Sequence, residues 1–361
     1  MDNLSKKSAI LLLLFASSLH AQMGYKKWAD IVRKNPTAWF QSPEAKAVAE
    51  NVLLYQKDIG GWNKNIEMQN AISEADKAKL IAEKSNPKGC TTDNSATYQE
   101  MNFLGRLYQE VPDERYKQAF LKGLDYILSA QYANGGWPQY YPEKKGYYMH
   151  ITYNDNAMYN VMLLLKTVID YRKFYTIEIP EEKIAACQKA FDKGISCILK
   201  TQYKQNGVLT AWCAQHDENT LLPAQARAYE LPSLSGKESA KVVLLLMSIN
   251  NPSPEVITAV TAADDWFRRV KISGMRVDRE YDENDKVINT KLVEDSEAPD
   301  LWGRFMELED NRPFFCDRDG VKKYSLTEIG DERRNGYTWY TNEPKEVLKK
   351  FYKWKKKNNL D

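Results

Sequence analysis

The chain has 361 residues and an apolar fraction of 43%, which is enough for a large buried core in one domain or one domain with a smaller addition. Its formal net charge of +2 argues against a nucleic-acid partner, because such binding depends on many Lys and Arg contacts to phosphate. The five cysteines include no CxxC pair and the chain has three histidines, so a zinc site is not expected and buried free thiols are.

The N-terminus has the layout of a secretory signal. Lys6 and Lys7 precede an apolar run over residues 9–16, and small residues follow it. We therefore predict a signal peptide over residues 1–21, cleaved after Ala21, and a single folded domain over 22–361. The run is too short to span a bilayer comfortably, and no later segment has a transmembrane pattern, so export to the periplasm or the medium is expected.

Most of the following segments have the apolar spacing of amphipathic helices. Ser42 with Pro43, and Ser235 with Glu238, are typical helix starts. The segment 272–291 predicts a β-hairpin that turns at residues 283–285. The helices are predicted, in chain order, at residues 43–55, 94–109, 119–130, 156–174, 184–201, 240–247 and 255–269.

A repeated motif follows three of these helices. The sequence reads QKDIGGW at 56–62 and QYANGGW at 131–137, and a longer version, QYKQNGVLTAW, ends at residue 212. The three tryptophans, Trp62, Trp137 and Trp212, are 75 residues apart each time. A fixed period indicates a repeated supersecondary unit. The sequence therefore predicts a mainly α fold, an (α/α) toroid of three helix-hairpin repeats with small β additions.

In such a repeat the corresponding loops lie on one face. Asp93 and Asp155 come at two helix starts, and Arg227 shortly precedes the helix capped by Ser235. An aspartate before a helix is most simply explained by helix capping, and the alternative is a calcium site, since calcium prefers hard oxygen ligands. Arg227 is explained by a surface ion pair or by a role on this rim. Both alternatives stay open at this point.

A second candidate region contains Arg304 and Arg312. Paired arginines can hold carboxylates bidentately, or they can form an ion-pair network with the acidic residues at 307–310. The chain contains no Walker A loop, GxGxxG or GxSxG motif. The consecutive His-Asp-Glu at 216–218 is a weaker acid/base candidate than Arg227, because neighbouring loop residues rarely converge on one atom.

Eight motifs, in order along nearly the whole mature chain, resemble the pectate lyases of polysaccharide lyase family 10. They are GGWNKN (60–65), TTDNSATYQEM (91–101), NGGWPQYYP (134–142), HITYNDNAM (150–158), VLTAWCAQHD (208–217), ARAYELPSLSGKES (226–239), DLWGRFMELEDNRPFFCDRDG (300–320) and RRNGYTWY (333–340).

The resemblance implies an (α/α) toroid of three hairpin units that forms a single catalytic domain over 22–361. It implies that Asp93 and Asp155 are linked to a Ca²⁺ cofactor and that Arg227 is the Brønsted base. It also implies substrate binding by Arg312, with Arg304, Asn94 and Tyr229 as further candidates.

The expected reaction is cleavage of α-1,4-polygalacturonate by calcium-assisted β-elimination, with a 4,5-unsaturated product. Two other classes remain open on the residues alone. An inverting glycoside hydrolase would use two carboxylates ~6.5–9.5 Å apart, and a non-catalytic protein would only bind oligogalacturonate. The expected partner is the polygalacturonate or oligogalacturonate substrate, bound by a monomer.

Overall fold

The computed structural model describes residues 27–360, so the predicted signal peptide lies outside the described residues. Among the helices of residues 27–360, none combines the length and the apolarity needed to cross a membrane. The α-helices of this range are α1 Trp28–Lys34, α2 Pro43–Tyr55, α3 Glu74–Ala82, α4 Tyr98–Glu110, α5 Glu114–Ser129, α6 Ala157–Tyr171, α7 Glu181–Thr201, α8 Gly236–Met247, α9 Pro254–Val270, α10 Asp331–Gly336 and α11 Pro344–Lys357.

The helix starts follow the capping chemistry predicted from the sequence. The Ser42 hydroxyl accepts a hydrogen bond from the Ala45 amide at 3.1 Å, and Pro43 occupies the first turn of α2. The Ser235 hydroxyl accepts from the Glu238 amide at 3.3 Å at the start of α8. These caps satisfy backbone donors that a helix leaves unpaired in its first turn.

The tryptophan of each repeat is buried and anchors its loop to the preceding helix. Each indole N–H donates to a carbonyl near the C-terminus of that helix, so the three hairpins are built alike. The bonds are Trp62 to Val52 at 2.8 Å, Trp137 to Ile127 at 2.8 Å and Trp212 to Ile198 at 2.7 Å. Trp302 makes the same bond to Phe267 in α9 at 2.8 Å. It lies 90 residues after Trp212 and lacks the preceding motif, so the period did not reveal it.

The glutamine of each motif joins its own loop to the next outer helix. The Gln131 amide donates to the carbonyl of Gly135 at 3.0 Å and to that of Ala190 in α7 at 2.8 Å. Gln56 bonds in the same way to α5, and Gln202 to α9. Gly135 has a φ of 97°, and a Cβ there would lie 2.0 Å from the Lys193 carbonyl oxygen, so only glycine fits.

The result is a ring of hairpins with α4, α6 and α8 as the inner helices. Helix α4 packs on α5, α6 on α7, and α8 on both α9 and α11. The predicted (α/α) toroid is confirmed. The 3₁₀ turns Asp93–Ser95 and Asn154–Asn156, which precede α4 and α6, pack against each other and place their side chains on one rim.

The β additions of residues 27–360 are two-stranded antiparallel pairs. The longest joins β7 Met275–Tyr281 to β8 Val287–Glu294, which confirms the predicted hairpin. The pairs near the rim are β1 Ile151–Thr152 with β6 Gln215–His216, and β9 Trp302–Gly303 with β12 Tyr340–Thr341. The others are β2 Lys173–Phe174 with β3 Ile177–Glu178, β4 Lys204–Gln205 with β5 Val208–Leu209, and β10 Phe315–Cys316 with β11 Lys322–Lys323.

Two hydrophobic clusters hold these parts together. The larger one runs from Trp28 to Trp354 through all the repeats. The smaller one is largely aromatic, includes Tyr229, Phe305 and Trp339, and is formed by the segment that precedes α8 and the segment between α9 and α11. All five cysteines are buried free thiols, as expected from the sequence.

Candidate active site

The carboxylate of Asp93 is buried, with the residue only 2% exposed. Its Oδ2 accepts hydrogen bonds from the Lys64 ammonium and from the Gln139 amide, the latter at 2.8 Å. Its Oδ1 is buried without a hydrogen-bond partner among the described residues. The partners of this carboxylate are side chains, so Asp93 does not cap α4. A buried carboxylate oxygen with no donor is costly unless another ligand completes it.

Asp155 lies in a turn of unusual backbone conformation, with φ of 48° at Asp155 and 64° at Asn156. Its Oδ1 is 3.2 Å from the Lys237 ammonium and 3.5 Å from Nη2 of Arg304. Burial opposes ionisation, but the positive charges of Lys237, Arg304 and Arg227 outweigh it and hold the pKa of Asp155 below its usual value. Asp155 is therefore an anion at neutral and alkaline pH.

Arg304 is buried, at 4% exposure, and supports Asp155 from inside the protein. Its Nη2 donates to the Asn154 side-chain oxygen at 2.7 Å and to Glu238 at 3.1 Å. Burial lowers the pKa of Arg304, but the nearby acidic groups, with Glu238 first among them and Tyr337 and Asp155 next, together outweigh burial and raise it, so the guanidinium stays charged. These contacts fix the orientation of the Asp155 turn. Substrate binding by Arg304 stays a prediction.

The Arg227 side chain is 42% exposed and forms a two-point pair with Glu230, three residues further along the loop. Its Nε is 2.7 Å from Oε2 of Glu230, and its Nη2 bonds to the other oxygen. The guanidinium carbon lies 4.9 Å from the ring centroid of Tyr229, and the Tyr337 hydroxyl donates to Glu230 at 2.8 Å. The hydrogen bonds to Glu230 raise the pKa of Arg227, although burial opposes the shift.

Two further arginines, which were not expected at the site from the sequence, lie around Tyr229. The guanidinium carbon of Arg333 is 4.6 Å from the Tyr229 ring centroid, and that of Arg318 is 5.8 Å away. Arg227 is close enough to act electrostatically on Arg318. Both residues lie in motifs on which the family resemblance rests, and this position was the one feature of the sequence that could have indicated them.

The remaining predicted binding residues have different surroundings. Asn94 is exposed on the rim and donates to the Asn65 side chain at 3.1 Å. Tyr229 is buried beneath the arginines, at 3% exposure. Arg312 is exposed and stacks on Tyr324, with its guanidinium carbon 3.8 Å from the ring centroid. Their roles in substrate binding stay predictions.

The His-Asp-Glu sequence at 216–218 does not form an acid/base unit. His216 is fully buried, which lowers its pKa to about 4, and its Nε2 accepts from the Cys213 amide at 3.2 Å. His150 Nδ1 instead lies 3.0 Å from Glu218. In the described part of the chain, His150, Asp217 and Glu218 bring three possible metal-ligand atoms within 4.8 Å of one another.

Comparison with known proteins identifies this helical toroid, with carboxylate, ammonium and guanidinium groups on one rim, as a polysaccharide lyase. The chain belongs to the pectic acid lyase family, whose sequence model matches residues 56–348. No curated protein matched the sequence.

Solved structures with high similarity include the family 10 polysaccharide lyase of Cellvibrio cellulosa. That enzyme is 35% identical with a TM-score of 0.74, and the match covers 91% of this chain and 97% of the other. An Asp→Ala variant of the family 10 lyase from the same organism, in complex with trigalacturonic acid, is 34% identical with a TM-score of 0.75. That match covers 90% of this chain and 95% of the other.

Proposed function

We propose that this polysaccharide lyase is a pectate lyase that cleaves α-1,4-polygalacturonate by β-elimination with Ca²⁺ as cofactor. The observation that carries the proposal is the packing of the Asp93 and Asp155 turns against each other, with Arg227 close enough to act on the Asp155 carboxylate. The trigalacturonic acid bound by the Cellvibrio variant supports the same substrate class.

The residues present fit a calcium ion. Asp93 and Asp155 supply carboxylate oxygens from adjoining turns, and Oδ1 of Asp93 is a buried oxygen without a donor in the described chain. Calcium takes 6–8 oxygen ligands, which substrate carboxylate and water can complete. When bound, the ion would neutralise the negative charge that builds up on the uronate carboxylate.

The chain's own cations bind and polarise the substrate. Arg318 and Arg333 lie beside Arg227 around Tyr229, while Lys64 and Lys237 lie beside the two aspartates. A guanidinium pairs with a carboxylate through two parallel hydrogen bonds and fixes its orientation. The same charges stabilise the carboxylate as the reaction adds electron density to it.

Arg227 is proposed to abstract the C5 proton. The electron pair of the C5–H bond forms the 4,5-double bond, the C4–O bond breaks, and the glycosidic oxygen leaves. The reaction consumes no water. Arg227 must lose its own proton first, and the pair with Glu230 opposes this loss. The neighbouring charge of Arg318 favours it, and so does alkaline pH.

Glu230→Gln tests this assignment through the pH profile. Removing the carboxylate removes the group that raises the pKa of Arg227, so the pKa of Arg227 should fall. A larger deprotonated fraction is then present at each pH. We expect the rising alkaline limb of kcat/KM to move to lower pH, whatever happens to the maximal rate.

The control is Glu346→Gln on α11, a side chain paired with Lys350 and 46% exposed. Its pH profile should match the wild type. If the alkaline rise of kcat/KM occurs at the same pH in Glu230→Gln as in the wild type, Arg227 is not the base.

The reaction class is tested on polygalacturonate by ultraviolet absorbance of the product. We expect the absorbance of a conjugated, unsaturated uronate, because elimination leaves a double bond next to the carboxylate. Saturated reducing ends would indicate a hydrolase, and tight binding without cleavage would indicate a sugar-binding protein. Either result would reject the lyase mechanism.

A polymeric substrate lies outside the cell, so we propose export of the chain with removal of residues 1–21. The mature protein would be a monomer with one catalytic domain over residues 22–361, in the periplasm or the medium. The mass of the exported chain would show whether it begins at Gln22.

A further inference from the structure

An open cavity of about 630 Å³ begins at Asn94 and Asp155 and continues between α4 and α6. On α4 it is lined by Tyr98, Asn102 and Arg106, which are spaced four residues apart on one helix face. Eight residues of helix extend about 12 Å, so the cavity reaches well beyond the reaction site. Its volume falls in the range of ~300–1,000 Å³ typical of ligand pockets.

Tyrosines from three elements form the walls of this cavity. They are Tyr98 in the first turn of α4, Tyr159 in the first turn of α6 and Tyr175 between β2 and β3. Burial raises the pKa of Tyr98, and the nearby Tyr175 and Tyr159 phenols raise it further. The three phenols are thus near neighbours. Tyrosine rings present an apolar face and a polar tip, which suits a sugar ring and its hydroxyl groups.

The cavity is also lined by an arginine, Arg106, that has no carboxylate partner among the described residues. Arg106 donates to the backbone carbonyls of Val32 and Asn35 and stacks over Phe40, 4.2 Å from the ring centroid. Within residues 27–360, no carboxylate forms an ion pair with Arg106. Arg33, at the cavity edge, has a side chain that is 71% exposed and lies 3.9 Å from the Asp30 carboxylate. A partly buried cation without a counter-charge favours an anionic ligand.

We propose that this cavity binds uronate units of the polymer beyond the cleavage site. The tyrosines contact the sugar rings, and Arg106 and Arg33 attract their carboxylates. The proposal rests on the proposed function for the chemical class of the ligand, and it deepens that function by assigning a direction to the bound chain. The polymer would run from Asp155 along α4 and α6 towards Tyr175.

The test compares a short and a long substrate, trigalacturonate and hexagalacturonate, on Tyr175→Ala. Tyr175 is 38% exposed, so its removal leaves the core in place. We expect kcat/KM for the hexamer to fall about three- to tenfold relative to that for the trimer, since an aromatic contact contributes about this much. Tyr175→Phe keeps the ring and should keep the ratio. Tyr352→Ala, 71% exposed on α11, is the matched control.

The ratio of the two substrates does not depend on how much of the variant is folded. An equal loss of kcat/KM on both substrates, or no loss on either, would contradict the proposed subsite. If the wild type cleaves neither substrate, the lyase proposal fails separately, and calorimetric titration with hexagalacturonate then decides the subsite. Tighter binding of the hexamer than of the trimer, lost in Tyr175→Ala, would support it, and equal binding would overturn it.

Discussion

Arg227→Lys should lower kcat on polygalacturonate by about 10²–10⁴-fold, the usual contribution of a general base. Lysine is the easier residue to deprotonate, so a loss of rate would reflect geometry rather than basicity. The shorter ammonium cannot form the two-point pair with Glu230 that holds the Arg227 guanidinium over Tyr229. Oligogalacturonate binding should remain largely intact, because the other cations that we propose to bind the substrate carboxylates are unchanged, namely Arg318, Arg333, Lys64 and Lys237.

The measurement combines initial rates with calorimetric binding of an oligogalacturonate. Arg115→Lys is a matched control, since Arg115 also pairs with carboxylates, Asp113 and Glu50, but near the start of the outer helix α5. It should keep wild-type activity. A near-wild-type rate in Arg227→Lys would reject the base assignment. Equal losses in binding and rate would make Arg227 a binding residue.

The repeated scaffold was predictable because its motif recurs along the chain. The motif places a glutamine and a tryptophan after each outer helix, and these side chains bond to backbone carbonyls at corresponding places in successive repeats. Trp302 escaped prediction because a long β-containing insertion changes its spacing. Periodicity in sequence reveals only units of equal length.

The two aspartates and the arginine of the candidate site could be predicted from the sequence, but most of the residues that pair with them could not. Asp93, Asp155 and Arg227 were expected on one rim from the repeat. Lys237 is 82 residues from Asp155, and local spacing carries no information about such a pair. Glu230, in contrast, follows Arg227 by three residues, so its pairing could have been anticipated.

The buried part of the network explains why the Asp155 turn can hold its conformation. Arg304 and Glu238 are both nearly inaccessible and pair with each other at 3.1 Å, and the same Arg304 nitrogen also donates to the Asn154 side chain. Glu238 also accepts from the Ser235 hydroxyl that caps α8. The third repeat thereby fixes an acidic residue supplied by the second, which couples the fold to the site.

Removing calcium should abolish activity, and Asp93→Asn should lower kcat/KM by about 10²–10³-fold, as expected when a group that stabilises developing charge is lost. The neutral amide would provide a weaker metal ligand and would leave the Lys64 ammonium without its carboxylate partner. Titration of calcium into the protein with bound oligogalacturonate should show weaker binding in the variant, and excess calcium should restore part of the rate.

Glu218→Gln separates this site from the other group of possible metal ligands. Glu218 faces His150 and lies near Asp217, and none of these three residues has a part in the proposed reaction. Calcium dependence should therefore be unchanged in Glu218→Gln and weakened in Asp93→Asn. If calcium dependence is instead weakened in Glu218→Gln and unchanged in Asp93→Asn, the metal binds at His150, Asp217 and Glu218. If the wild type stays active in the presence of a chelator, calcium is not part of the mechanism. The arginines alone would then stabilise the charge on the uronate.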